Sequence, residues 1–335
     1  MAYNPALLAR ARGALAERRQ ANEAERERRA ARVKARIPRV GEIDAALRRQ
    51  MAELCALTFS REPDAPGKLA ALRGANLALQ AERAELLRAA GLPADYTDEI
   101  YTCTACHDSG YVDGEPCECL IREYKALLTR ELSGLMRDGG ESFENFRLDF
   151  YSAEPDPALG GASPRETMRL VFETCRTWAR SLSRSSPSLI FRGGPGLGKT
   201  FLSACIAREA ASRGFSVAYE SAPAALGEFE KERFSRDAAE AAAAAAKVRE
   251  YMGCDLMILD DLGTEMTTSF TVSALYQLVN GRLAASRQTI ISTNLDDAQI
   301  ERRYGPQTAS RLAGEYELLV FAGSDIRRIK KERGL

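Results

Sequence analysis

Residues 188–200 read Ser188-Leu189-Ile190-Phe191-Arg192-Gly193-Gly194-Pro195-Gly196-Leu197-Gly198-Lys199-Thr200. A short apolar run passes into a glycine loop that fits G-x-x-x-x-G-K-[ST] at every place. The glycines let successive backbone N–H groups turn inward around a phosphate. Lys199 brings a point charge to the β- and γ-phosphates, and the Thr200 hydroxyl is a ligand for Mg²⁺. Phe201–Arg213 reads as a helix, and a helix N-terminus favours an anion. Eight of the 47 basic residues are Lys, so a Lys at this place is not a common accident. The expected ATP-binding set is Gly193, Gly194, Pro195, Gly196, Leu197, Gly198, Lys199, Thr200 and Phe201, with ATP and Mg²⁺ as cofactors.

Outward from this loop, short β-rich runs alternate with helical segments, the pattern of an α/β domain with a parallel sheet. Strands are expected at Ser188–Arg192, Ser216–Glu220, Leu256–Asp260, Thr289–Thr293 and Glu317–Ala322. The run Leu256-Met257-Ile258-Leu259-Asp260-Asp261 is four apolar residues followed by two acids. A buried strand ending in carboxylates beside a phosphate loop suits Mg²⁺ coordination, and Asp260 is expected to hold the ion through water. Asp261 is placed to orient or deprotonate an attacking water, with Glu265 a competing candidate. Asn294 closes the strand Thr289–Thr293. Its amide suits holding that water, and it also suits capping the helix that begins near Asp296.

The first 95 residues are rich in Ala, Leu, Arg and Glu and read as helical. Leu69, Leu72, Ala75, Asn76, Leu79, Arg83, Leu86 and Leu87 repeat with helical rhythm, and Pro38, Pro63, Pro66 and Pro93 divide the zone. Ten basic residues against four acids between Met1 and Arg36 make its start basic, although net charge over 335 residues is zero and announces no nucleic acid in bulk. No apolar run is long enough for a membrane and no signal core precedes Arg10, so a cytoplasmic protein is expected. Ala238–Ala246, all Ala except Glu240, reads as a helix with a bare surface.

Between these zones lie Cys103-Thr104-Ala105-Cys106 and Cys117-Glu118-Cys119. Turn formers Asp108-Ser109-Gly110 and Asp113-Gly114 separate the two pairs. Four thiolates so close suit a closed tetrahedral zinc site made by Cys103, Cys106, Cys117 and Cys119. His107, adjacent to Cys106, ranks below Cys119 as a ligand. An iron–sulfur cluster is the alternative from four thiolates. A redox dithiol lacks its usual βαβ context. Cys55, Cys175, Cys205 and Cys254 read as core residues.

These motifs together resemble the DnaC/DnaI-type bacterial helicase loaders and their relative, the IstB transposition helper. The likeness rests on the 193–200 loop (Walker A), Leu259-Asp260-Asp261-Leu262-Gly263 (Walker B), Ile291-Ser292-Thr293-Asn294-Leu295 (sensor 1) and Ser310-Arg311-Leu312, across about residues 165–330. It implies an α/β AAA+ P-loop domain, a parallel sheet flanked by helices, that hydrolyses ATP to ADP and phosphate. It implies that Arg311 is an arginine finger acting in trans through self-assembly, and that Arg327 is a sensor 2 residue contacting phosphates in cis. Only a short tail follows Arg327, so a full helical lid is not expected. The segment Ala222–Gly253, with Lys231, Arg233, Arg236, Lys247, Arg249, Phe229 and Phe234 among several acids, corresponds to the helix pair that touches single-stranded DNA in this family. The Cys block resembles the zinc-bearing N-terminal domain of DnaI-like loaders, which binds the replicative DNA helicase.

The expected organisation is therefore a helical partner-docking region at 1–95, a zinc knuckle at 96–120, a helix and linker at 121–164, and the AAA+ ATPase domain at 165–335. The expected function is ATP-dependent loading of the replicative helicase, with ATP as a load and release switch. The alternative is an IstB-like helper of a transposase, which the Cys block disfavours. A P-loop metabolic kinase is the rival of another class, and no segment reads as its substrate lid.

Overall fold

The computed structural model describes residue 3 and residues 5–58, 65–135 and 141–334. Pro63 lies outside the described residues. The chain divides into two compact units, residues 12–120 and a larger unit made by residues 1–11 with 121–335.

Helix α1 (Pro5–Arg36) crosses the division, and α2 (Pro38–Thr58) and α3 (Ala65–Ala89) lie in the smaller unit. Pro38 opens α2, where its missing N–H costs nothing. Past α3, Gly91 takes φ +77° and Leu92 N–H returns to Leu87 C=O at 3.0 Å, a left-handed termination that only glycine adopts cheaply. The expected rhythm lies along one face of α3: Leu69, Leu72, Asn76, Leu79, Arg83 and Leu86 are half-buried and Leu87 is buried, whereas Ala75 is exposed. Val33, Val40 and Leu87 form the small core, with Ile37, Leu92 and Tyr96 against it. Arg83 ties α3 to Asp44 at 3.0 Å and Asp98 at 2.9 Å. A two-residue hairpin, β1 (Tyr111–Val112) and β2 (Glu115–Pro116), carries the second half of the Cys block. Helix α4 (Glu118–Leu135) leads out of it.

The larger unit is built on a five-stranded parallel sheet of β3 (Ser188–Arg192), β4 (Val217–Ser221), β5 (Leu256–Leu262), β6 (Gln288–Thr293) and β7 (Tyr316–Val320), in the order β4-β5-β6-β3-β7. All the expected strands are present, shifted by at most two residues. Its helices are α5 (Pro164–Ser181), α6 (Lys199–Ser212), α7 (Ala222–Phe234), α8 (Ala238–Gly253), α9 (Ser269–Ala284), α10 (Asp297–Glu315) and α11 (Ile326–Glu332). This is the expected α/β arrangement, a parallel sheet flanked by helices, with β3 and β5 separated only by β6.

Central strands are covered on both faces, which explains their unbroken apolar runs. Leu256, Met257, Ile258 and Leu259 are all fully buried, each contributing roughly 1.5–3 kcal/mol. At the end of the sheet where β5 and β6 begin, Arg282 is fully buried. Its guanidinium donates to Thr289 Oγ1 at 2.9 Å and to the carbonyls of Tyr251, Cys254 and Gln288. One cation thereby ends α8, anchors α9 and satisfies the backbone at the start of two strands.

Candidate nucleotide site and cysteine knuckle

The glycine loop leaves β3 and enters α6 at Lys199. Gly196 and Gly198 hold φ of +74° and +92°, a region closed to most side chains. A Cβ at Gly196 would fall 1.9 Å from Asp325 Oδ1, and one at Gly198 would fall 2.9 Å from Tyr151 Oη. The loop is thus clasped from two sides. Ile326 N–H donates to Gly196 C=O at 3.0 Å, and Tyr151 Oη donates to Leu197 C=O at 2.9 Å.

Lys199 is buried. Its ammonium donates to Gly193 C=O at 2.6 Å, Gly194 C=O at 2.8 Å and Asn294 Oδ1 at 2.5 Å. Burial pulls its pKa below the ordinary lysine value, against the opposing pull of Asp261 and Asp260. The loop lysine and the strand-end amide, 95 residues apart in sequence, meet directly.

The two acids of β5 part company. The register against β6 slips between Leu259 and Leu262, a bulge that re-aims side chains at the strand end. Asp261 takes φ +57° and is exposed, which Asp tolerates better than most residues. It lines the cavity over the loop. Asp260 is buried and is not among the cavity residues. Its Oδ2 accepts from Tyr219 Oη at 2.8 Å and its Oδ1 from Ser292 Oγ. Burial, and then the charge of Asp260, push the Tyr219 phenol well above its ordinary range, so it stays a neutral donor. Glu265 is buried away from this cavity, accepting from Tyr304 Oη and from Gly263 N–H at 3.0 Å. That arrangement braces the turn after β5.

The cavity encloses about 710 Å³. Around it stand Lys199, Thr200, Phe201, Asp261 and Asn294, and from α11 Arg327 and Lys330. Sequence reading missed the segment 141–151, which supplies Asn145, Phe146, Phe150 and Tyr151 to the same wall. Phe146 is stacked on Phe172 at 5.0 Å and lies 5.8 Å from Phe201. Lys330 and Arg333 lie over the Phe150 ring. The signal was there as a run of aromatics (Phe143, Phe146, Phe150, Tyr151), but it has neither strand nor helix period. The donor set fits a nucleotide with a hard cation: inward amides and ammonium for phosphates, hydroxyl and carboxylate oxygens for Mg²⁺, and an aromatic face for a base.

Arg311 is exposed on α10, paired with Glu315 at 3.7 Å, and does not line the cavity of its own chain. Within α7 and α8, Phe229 is buried in the core rather than facing solvent. Phe234 is 60% exposed, edge-on to Phe270 at 5.0 Å, and Met266 is 84% exposed. Lys231 and Lys247 are paired with Glu228 and Glu250, whereas Arg233, Arg236 and Arg249 are exposed. Asp237 caps the Ala-rich helix α8.

In the smaller unit the sulfurs of Cys103, Cys106, Cys117 and Cys119 all lie within 4.8 Å of one another. Cys103 and Cys117 are 3.8 Å apart, Cys106 and Cys119 3.3 Å. Zn–S bonds of about 2.3 Å set tetrahedral edges of roughly 3.8 Å, so the set fits one tetrahedral ion. Gly110 N–H donates to Cys106 Sγ at 3.3 Å. Asp108, buried, accepts from Thr102 N–H at 2.8 Å, Cys103 N–H at 2.9 Å and Asn22 Nδ2 at 3.0 Å. His107 is stacked on Tyr101 at 4.3 Å and stands outside the sulfur set. Cys175, Cys205 and Cys254 are buried as expected, but Cys55 is exposed.

Residues 177–311 match the family described as IstB-like ATP binding protein. The replicative helicase loader DnaC of Buchnera aphidicola (subspecies Acyrthosiphon pisum, strain APS) is 24% identical over 196 residues, covering 58% of this chain and 74% of that protein. A putative ATP-binding protein in insertion sequence, from Mycobacterium tuberculosis, is 26% identical over 175 residues, covering 52% of this chain and 61% of that protein. A crystal structure of the DnaC helicase loader aligns with a TM-score of 0.42 and 19% identity, covering 54% of this chain and 98% of that chain. The family match at 177–311 contains the glycine loop, and the expected resemblance to DnaC-type loaders returns among the relatives. No helix among the described residues is long and apolar enough to cross a membrane.

Proposed function

We propose that the chain is an ATP-dependent loader of a replicative DNA helicase. The observation that carries the nucleotide half is the meeting of Lys199 with Asn294 beside Asp261, at the mouth of one cavity. In this reading the loop amides and Lys199 hold the β- and γ-phosphates, and Phe146 offers its face to the adenine. Asp261 and Asn294 orient the water that attacks the γ-phosphate. Arg327, with Lys330 beside it, contacts the phosphates in cis. Thr200, and Asp260 through water, would hold Mg²⁺, which would neutralise charge on the phosphates. Arg311, which does not line the cavity of its own chain, serves the site of a neighbouring copy.

The loader reading is supported by the DnaC relatives and by the sulfur set in residues 12–120, which holds zinc and stiffens a unit that grips the helicase. The exposed Phe234 and Met266, with Arg233 and Arg236 nearby in sequence, suit the bases and phosphates of a single strand. The match to IstB-like proteins keeps a transposase helper as the second reading, with the same ATP chemistry.

The test is native mass spectrometry of the purified chain mixed with the host replicative helicase, with and without ATP. A stable complex with the helicase hexamer, carrying zinc in each copy of this chain, is the expected result. No complex under any nucleotide condition would overturn the loader reading in favour of the transposase helper.

A further inference from the structure

Asp260 lies in the last part of β5, and it is held from the strands on both sides of it. Tyr219 reaches it from β4 and Ser292 from β6. A buried carboxylate needs hydrogen bonds to be tolerated, but the pattern here is more selective than tolerance requires. An ionised carboxylate has about four lone-pair directions. Oδ1 accepts from Ser292 Oγ and from Asp261 N–H, the latter at 3.2 Å. Oδ2 accepts from Tyr219 Oη at 2.8 Å. Among the described residues this leaves one lone-pair direction, on Oδ2, and the Tyr219 hydroxyl decides which one. Ser292 Oγ also accepts from Asp261 N–H at 2.9 Å, so one hydroxyl locks the two acids to each other.

We infer that Tyr219 is a positioning residue, with Ser292 as its counterpart: together they set the carboxylate plane of Asp260, which does not line the cavity and would act through water on the Mg²⁺ that accompanies the nucleotide. The inference rests on the nucleotide reading of the cavity. Mg²⁺ demands near-ideal octahedral geometry, so a carboxylate free to rotate is a poorer partner for it. Groups that orient a metal's ligands are worth about ten- to a hundredfold in metal affinity or activity. Nothing in the sequence around Tyr219 marks it for this; only the pairing of Tyr219 with Ile258, two places before Asp260, brings the phenol there.

The experiment uses the full chain and a fluorescent ATP analogue, with binding measured in EDTA and then across a Mg²⁺ titration. Tyr219→Phe removes one oxygen and keeps the ring. The expected result is a Mg²⁺ half-saturation raised about tenfold, with the metal-free affinity unchanged. A purely structural role would lower the thermal midpoint and leave the Mg²⁺ requirement as it was. Ser292→Ala is the second variant, expected to move the same quantity in the same direction should Tyr219→Phe fold poorly. An unchanged or lowered Mg²⁺ requirement in both variants overturns the inference while leaving the nucleotide reading intact. A wild-type chain that binds no nucleotide overturns the reading of the cavity, and this inference with it.

Discussion

Lys199 shows how much one side chain ties together: it bonds two loop carbonyls and the amide of Asn294. Replacing it by Ala removes the charge that meets the phosphates, a loss of about 3 kcal/mol or roughly a hundredfold in ATP affinity. Isothermal titration of Lys199→Ala checks this, and an unaltered affinity would remove the site assignment. Because burial lowers the Lys199 pKa, the wild-type affinity is expected to fall with rising pH before the ordinary lysine range is reached, as the ammonium that attracts phosphate loses its proton. Arg282 is the residue-scale counterpart for stability. Removing its side chain strands the carbonyls of Tyr251, Cys254 and Gln288 in a dry interior. Arg282→Ala is expected to cost about 3 kcal/mol or more, read from the midpoint of urea denaturation. Lys is a poor replacement there, since a compact ammonium lacks the planar fork that spans these acceptors.

At the scale of elements, strands were legible because their burial leaves continuous apolar runs, and β3 and β5 were placed almost to the residue. The fates of their end groups were not. Asp260 and Asp261 look equivalent in the sequence, but a bulge turns one inward and the other toward the cavity. Phe229 and Phe234 both looked available to a nucleic acid, and packing of α7 buries the first. The gathering of the four cysteines was legible, since both pairs are local in sequence and the hairpin joining them is short. Its residues 101–120 are turns with a two-strand hairpin and little apolar core, so the ion is expected to hold them. Chelation, or Cys106→Ser, should abolish metal content by plasma mass spectrometry and raise hydrogen exchange across residues 101–120. The sheet unit should keep its exchange protection. If exchange in the knuckle did not change, the ion would be incidental to its fold.

For the whole molecule, the cavity wall contributed by residues 141–151 extends the nucleotide site ahead of the boundary expected at 165. Part of the segment expected as helix and linker becomes a wall by tertiary contact: Tyr151 reaches Leu197, 46 residues on, and Phe146 joins the rings of Phe172 and Phe201. Arg311 carries the prediction that belongs to assembly. Arg311→Ala should bind ATP as wild type does but lose most hydrolysis, about a thousandfold for a charge-stabilising finger. Mixing it with Lys199→Ala should restore part of the rate, because one variant keeps an intact loop and the other lends its arginine. Absence of any restored phosphate release in the mixture would mean that Arg311 does not act between copies. What the sequence by itself determined is what lies contiguous along the chain: the phosphate loop, the apolar strands and the paired cysteines. Each is a local pattern whose chemistry depends on near neighbours. What only the tertiary structure decided is which side chains share a space: Lys199 with Asn294, Asp260 with Tyr219 and Ser292, the aromatic wall with the loop. Close packing sets those meetings across 32 to 95 residues of separation, and no local period records them.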